Sequence, residues 1–255
     1  MPADFAAFPD SGALFVRFLA IFVAGILTPL ARASKVRCMT DNRKSGLALI
    51  AGSLGMIITM AVHPHGAVAA AQVESMARNL TIVHSLALAS LMILFLGVFG
   101  LSQRLKSADR FEFIGLVLFA FASIAVMNAA VVDGLVAPNV MRRIVEAGAG
   151  AGESWRVASR YNFEVNQGFA RLYAVTSSIA IIFWSLSIWR NRTLARGLAI
   201  YGCVIGVVSV IAVIAGLGMD VHGFGAIVLG QAIWFITAAV LLRREPERSY
   251  LQPQS

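Results

Sequence analysis

The sequence predicts an all-α membrane protein, a polytopic transmembrane helix bundle with six spans from Gly46 onward and a seventh at the N-terminus. Of its 255 residues, 58% are hydrophobic and only 13% are charged. A soluble domain of this length cannot bury so much apolar side chain, whereas a lipid bilayer absorbs it. The apolar residues also fall into runs long enough to cross a hydrocarbon core of about 30 Å.

The clearest span begins at Gly46 and ends near His63. Residues 46–62 are apolar or small throughout, and Pro64 disfavours helical structure at the residue before it. The span therefore ends at one membrane face, on two closely spaced histidines.

Five further apolar runs follow and alternate in direction. Basic residues concentrate in the loops at one end of these runs, whereas the short loops at the other end contain a single one, Arg78. Short basic loops mark the cytoplasmic side, so both ends of the six-span unit are predicted to be cytoplasmic. The predicted runs are 80–101, 111–136, 166–189, 197–217 and 221–242.

The N-terminal region has three interpretations. Residues 13–30 form a seventh span, a signal peptide cleaved after the small residues of 31–33, or an extension upstream of a native start at Met39. A signal peptide would place the basic residues of 35–44 outside and invert the topology, so we disfavour it. We predict an N-terminal segment, 1–38, that is dispensable for the fold, and a six-span transmembrane domain, 39–255.

A long segment, 137–165, is predicted to lie on the outer side between the third and fourth spans. Within it, residues 138–147 are expected to form a short interfacial helix with Arg142 and Arg143 on its wet side. The glycine-rich stretch 148–152 is expected to be a flexible break.

The net charge of +8 resides mainly in loops next to the apolar runs. This pattern serves topology and contact with anionic lipids, and it does not form a patch for nucleic acid.

The dominance of Arg over Lys, together with abundant Ala and Gly, suggests a bacterial origin and hence an inner-membrane location. Gly202 and Gly206 have small-xxx-small spacing, which is typical of helix contacts and allows a homo-oligomer.

All four histidines, His63, His65, His84 and His222, fall on the predicted outer side. Imidazole is a common ligand of Zn, Cu and haem iron. His63, His84 and His222 are predicted to lie at similar depth and close together, as ligands of a divalent metal or a b-type haem. The alternative is that these histidines only tolerate the headgroup region.

Two acids complete the candidate metal set. Asp133 ends the third span, and Asp220 lies in the turn before His222. An acid this close to the bilayer usually has a partner or a task. The alternatives are an N-cap for Asp220 and a simple span end for Asp133.

The fourth span opens with a polar stripe. Arg160, Glu164, Gln167 and Arg171 follow a spacing that places them on one helix face. Glu164, Gln167 and Arg171 could line an outward-facing cavity that holds an anionic headgroup or substrate. The alternative is a self-paired stripe at the membrane surface.

The sequence lacks the motifs of several common enzyme classes. The chain contains no Walker motif, no nucleophile elbow and no CxxC. The sequence favours a non-enzymatic integral inner-membrane protein with a polar, histidine-containing periplasmic rim. The alternatives are a metal- or haem-b-binding protein engaged in redox transfer or metal-assisted hydrolysis, and a small transporter or lipid-handling protein.

Overall fold

The structure, a computed structural model, describes residues 42–64, 70–106 and 109–244. These residues belong to one compact unit. Within these ranges the chain is helical and contains no β-strand. We number the α-helices α1 (Asn42–Ala61), α2 (Val73–Arg104), α3 (Phe111–Val131), α4 (Ala137–Asn191), α5 (Arg196–Ile214) and α6 (Val221–Arg244). A 3-10 turn, Ala70–Gln72, precedes α2, and a π-helical turn, Val132–Val136, joins α3 to α4.

Six segments of the described chain are long and apolar enough to cross a membrane, which confirms the predicted six spans from Gly46 onward. The predicted seventh span, 13–30, and the predicted boundary after residue 38 lie outside the described residues. The seventh span is therefore not supported by the structure. The six segments are Asn42–Ala61, Val73–Arg104, Phe111–Gly148, Gly152–Asn191, Arg196–Ile214 and Val221–Arg244.

The third and fourth spans are much longer than predicted. Helical structure runs from Phe111 through the π-helical turn to Gly148, and then from Gly152 to Asn191. The predicted segment 137–165 has a helix only at 138–147, but the structure is helical on both sides of Gly148, and Pro138 lies in the first turn of α4, where no backbone N–H is needed. The predicted break is confirmed at Gly148, whose φ of 62° and ψ of −157° interrupt the helix and favour glycine.

The helices pack in chain order, and the last returns to the first. Each helix contacts the next, and α6 also contacts α1, while α4 contacts α2 and α6. Small residues allow the closest approach: a methyl group at Gly52 would collide with the backbone of Leu94, and one at Gly97 would collide with Leu49. Close packing through small residues is the normal way in which membrane helices associate.

The face predicted to mediate oligomerisation packs within the chain. Gly202 lies against Ser185 and Trp234, and Gly206 lies against Ile182. Both glycines are buried, so the small-xxx-small pair joins α5 to α4 and α6.

The centre of the bundle contains a hydrogen-bonded polar network. The Tyr173 hydroxyl donates to Gln231 Oε1 at 3.3 Å, and Gln231 Nε2 donates to the hydroxyls of Ser177 and Ser178 at 2.8 and 3.1 Å. These four side chains are buried. Buried polar groups are tolerated when their hydrogen bonds are satisfied, so this network connects α4 to α6.

The basic helix ends gather at one end of the bundle. The Arg243 side chain lies against Gly46, which places the end of α6 beside the start of α1. Arg190 Nε lies 3.3 Å from Asp109 Oδ2, which links the end of α4 to the loop before α3. The opposite end therefore holds the end of α1, the start of α2 and the π-helical turn.

Candidate metal centre

Three side chains from three separate elements converge at the end of the bundle opposite the basic helix ends. His63 follows α1, His84 lies in α2, and Asp133 lies in the π-helical turn. The Nε2 atoms of His63 and His84 lie 3.3 and 3.2 Å from the same oxygen, Asp133 Oδ2. One ligand atom from each of the three residues lies within 4.8 Å of the others. The arrangement has the donor set of a transition-metal site.

Backbone carbonyls fix the orientation of both imidazoles. His84 Nδ1 lies 2.8 Å from the carbonyl oxygen of Leu80, and His63 Nδ1 lies 2.9 Å from that of Pro64. A carbonyl oxygen can only accept a hydrogen bond, so the hydrogen-bond network assigns a proton to each Nδ1. In a neutral ring of this tautomer, Nε2 carries a lone pair and no proton.

The contacts of Nε2 with Asp133 therefore require positive charge. Two neutral imidazoles in this tautomer would direct lone pairs at a carboxylate oxygen, and this juxtaposition is electrostatically unfavourable. It becomes favourable when a proton or a metal cation lies between the ligand atoms. The side chains of His63, His84 and Asp133 are only 14%, 10% and 27% exposed. Because little water reaches them, an uncompensated negative charge at Asp133 would be costly.

The π-helical turn positions Asp133. A π-turn breaks the regular α-helical hydrogen-bond ladder and is common at functional sites. Here side chains from other helices bind two of its carbonyl oxygens: Thr81 Oγ1 donates to Gly134 O at 2.9 Å, and Asn162 Nδ2 donates to Val132 O at 3.3 Å. These bonds fix the turn against α2 and against the part of α4 that follows Gly148.

A salt bridge also joins α2 to α4. Arg142, in the first part of α4, binds the carboxylate of Glu74 through Nε and Nη2 at 2.8 and 3.1 Å. The Glu74 side chain is 63% exposed, so the energetic contribution of this pair is small. Its bidentate geometry aligns the start of α2 with α4.

A cavity of about 400 Å³ opens beside the three converging side chains. His63, His84 and Asp133 form part of its wall, and helices α1, α2, α3, α4 and α6 contribute the rest. The lining is largely apolar, and five of the chain's nine methionines contribute to it. These are Met56, Met60, Met76, Met141 and Met219.

The Gln167 side chain fixes the part of the cavity wall that precedes α6. Its amide donates through Nε2 to Met219 O and accepts at Oε1 from Met219 N, both at 3.1 Å. Gln167 is buried. This pair of bonds satisfies the backbone of the turn and holds Met219 and Asp220 at the cavity.

The structure brings together some of the predicted ligands and not others. His63, His84 and Asp133 form one group, whereas His222 and Asp220 lie outside it. Asp133 therefore takes the place predicted for His222. Asp220 Oδ1 accepts from the backbone N–H groups of His222 and Gly223 at 3.1 and 2.8 Å. Asp220 is thus the N-cap of α6, and the His222 side chain is exposed at the start of that helix.

Other predicted residues have separate positions. His65 lies outside the described residues. Glu164 and Arg171 are exposed and do not line the cavity, whereas Gln167 does. Of the predicted polar stripe on α4, only the buried Gln167 therefore lines this cavity.

The residues that support the candidate ligands have no recognisable signature in the sequence. Thr81, Gly134 and Asn162 have no motif, and their roles depend on which helices become neighbours. The methionines left a visible signal, since several occur near the outer ends of predicted spans.

The geometry does not fit the predicted b-type haem. A haem iron bound by two histidines needs them on opposite faces of a flat macrocycle. The rings of His63 and His84 instead meet edge to face, with centroids 5.1 Å apart, and both direct Nε2 at one carboxylate oxygen. A macrocycle has no room between them.

No protein-family model matches the chain, and searches of curated proteins and of solved structures find no match.

Proposed function

We propose that this multi-pass membrane protein binds one divalent metal ion, with zinc as the best fit, through His63, His84 and Asp133. The observation that carries the proposal is the convergence of two Nε2 atoms and one carboxylate oxygen while both Nδ1 atoms face backbone carbonyls. The donor set is the two-imidazole, one-carboxylate combination of hydrolytic zinc sites.

The two separations between an imidazole nitrogen and the carboxylate oxygen are compatible with tetrahedral coordination. For ligand atoms about 2.05 Å from the ion, neighbouring ligands are separated by about 3.3 Å in a tetrahedron and about 2.9 Å in an octahedron. The separations of 3.3 and 3.2 Å between each Nε2 and Asp133 Oδ2 agree better with the tetrahedron. Zinc prefers this geometry among the divalent ions that imidazole binds.

The surroundings of the imidazoles also suit a metal ligand. Metal-bound histidines usually donate their second ring N–H to a carbonyl or carboxylate, which fixes the ring and increases its basicity. Leu80 O and Pro64 O are suitable acceptors for His84 and His63.

His63, His84 and Asp133 would hold the ion through three protein ligands, the number that is usual in catalytic zinc sites. A zinc ion held there would supply Lewis-acid activation of water near neutral pH. Because the ligands form part of the cavity wall, the reaction that this arrangement supports is metal-assisted hydrolysis of a small molecule held in the cavity. Redox transfer has less support, since zinc has no redox chemistry.

The proposed location is the bacterial inner membrane, with the C-terminus in the cytoplasm and the metal centre at the periplasmic rim. The bundle end that holds Arg190 and Arg243 is the basic one, which the positive-inside rule assigns to the cytoplasm. Reporter fusions at Lys106 and Arg192 are expected to report the cytoplasm. Periplasmic signals at both positions would overturn this topology.

The metal proposal is tested on the full chain purified in lipid nanodiscs. Zinc is removed with a chelator and titrated back in competition with a chromophoric chelator. We expect one zinc per chain, and we expect Asp133→Asn and His84→Ala to lose it. His222→Ala is the matched control, because this histidine lies outside the proposed ligand group, and it should retain full affinity.

Each result decides between the proposed site and the alternatives. Equal zinc affinity in the wild type and in His84→Ala would contradict the site. Loss of zinc in His222→Ala would move the site towards α6. A protein that binds no transition metal would leave a proton-bridged structural cluster and a non-enzymatic role.

A further inference from the structure

The cavity next to the candidate metal centre has the size and lining of a small-molecule site. Its volume of about 400 Å³ falls within the range of about 300–1,000 Å³ that is typical of ligand pockets. Five methionines and two phenylalanines, Phe163 and Phe224, are among its lining residues. Unbranched methionine side chains adapt to flexible apolar ligands, so the lining suits a hydrocarbon chain.

Apart from the two histidines that contact Asp133, the ionisable side chains that line the cavity are acidic. The protein has a net charge of +8 and 21 Lys and Arg residues, yet no Lys or Arg is among the described residues that line the cavity. Two carboxylates, Asp133 and Asp220, are among them. The exposed carboxylate of Asp220 would repel an anionic headgroup, whereas it would pair with an ammonium group.

Asp220 is placed to receive such a group. Its Oδ1 accepts from the backbone N–H groups of His222 and Gly223, while no hydrogen bond to Oδ2 is found within the described chain. Gln167 holds the adjacent Met219 backbone in place. Asp133, in contrast, is already engaged by both histidines.

We infer that the cavity binds an amphiphilic amine, with its hydrocarbon chain among the methionines and its ammonium group at Asp220. A ligand in this pose extends from the rim of the cavity at α6 towards the wall formed by His63 and His84. The inference concerns binding and does not require the metal, so it is tested on chelator-treated protein.

The test uses a decylamine that carries a photoreactive diazirine on its chain, with the full-length protein in zwitterionic lipid nanodiscs. After illumination, labelled peptides are identified by mass spectrometry. Unlabelled decylamine, decanol and decanoate are then compared as competitors. We expect labelling in the segments that contain Met56–Met60 and Met219–Phe224. Decylamine should compete about fivefold better than decanol, because a partly exposed ion pair contributes on this order. Decanoate should not compete.

Two variants separate charge from structure. Asp220→Asn removes the charge but retains an N-cap, since Asn and Asp cap helices equally well, and it should abolish the advantage of decylamine over decanol. Glu153→Gln is the control, because Glu153 is an exposed acid that pairs with Arg156 and does not line the cavity. It should leave the advantage unchanged.

Three outcomes would overturn the inference. Decanol or decanoate that competes as well as decylamine would contradict the charge argument. An unchanged advantage of decylamine in Asp220→Asn would exclude the proposed ammonium partner. Labelling that unlabelled decylamine cannot displace would show partition into lipid alone. Zinc binding is measured separately, so none of these outcomes bears on the metal centre.

Discussion

Gly134 lies directly against the side chain of His84. A methyl group at position 134 would overlap the Cβ and Cγ atoms of His84, so the π-helical turn that presents Asp133 also contacts another proposed ligand. The positions of the carboxylate and of this imidazole are therefore set by one backbone contact. Small displacements of supporting residues commonly weaken metal sites.

Substitution of Gly134 by alanine should displace His84 from Asp133. We expect Gly134→Ala to weaken zinc binding by about 10–100-fold, the effect usual for supporting residues around a metal. Gly168→Ala is the matched control, since a Cβ at Gly168 has no neighbouring heavy atom within 4 Å. Zinc titration of both folded variants checks the prediction, and equal affinities would disprove the role of Gly134.

Removal of the Thr81 hydroxyl should loosen the π-helical turn. Thr81→Val preserves the shape of the side chain but removes the donor to Gly134 O. We expect zinc affinity to fall by about tenfold, since the carbonyl loses its partner and the turn can shift. Thr237→Val is the comparison, because that exposed hydroxyl bonds only within α6. Equal zinc affinities of Thr81→Val and Thr237→Val would contradict the prediction.

The polar network at the centre of the bundle should stabilise the fold without affecting the metal. Gln231→Leu leaves the buried Tyr173 hydroxyl without its acceptor, at a cost of about 1–3 kcal/mol in the free energy of unfolding. Unfolding by denaturing detergent measures this loss, and zinc affinity of the folded protein should remain unchanged. The exposed Thr176→Val, whose hydroxyl bonds within α4, should cost little. Loss of zinc in folded Gln231→Leu would couple the network to the metal centre.

The sequence was sufficient to predict the spans because apolar runs and basic loops report directly on the bilayer. It also placed His63 and His84 at similar depth, since a helical rise of about 1.5 Å per residue converts sequence position into height. Lateral neighbours were not predictable. His222 has a suitable position in the sequence, yet it lies outside the ligand group, and Asp133 occupies the third place instead.

The details of the site depend on contacts that sequence periodicity does not encode. A π-helical turn has no characteristic residue pattern, so the exact direction of Asp133 could not be derived. The sequence predicts a separate short helix at 138–147, whereas the position of Pro138 in the first turn of α4 lets the helix continue.

X-ray absorption at the zinc edge of the reconstituted protein tests the central claim most directly. We predict four nitrogen or oxygen neighbours at about 2.0–2.1 Å, with the outer scattering of two imidazole rings, and with one ring lost in His84→Ala. His222→Ala should give the same spectrum as the wild type. A zinc spectrum without imidazole scattering, or one that His84→Ala leaves unchanged, would contradict the assignment of His63, His84 and Asp133 as the metal centre.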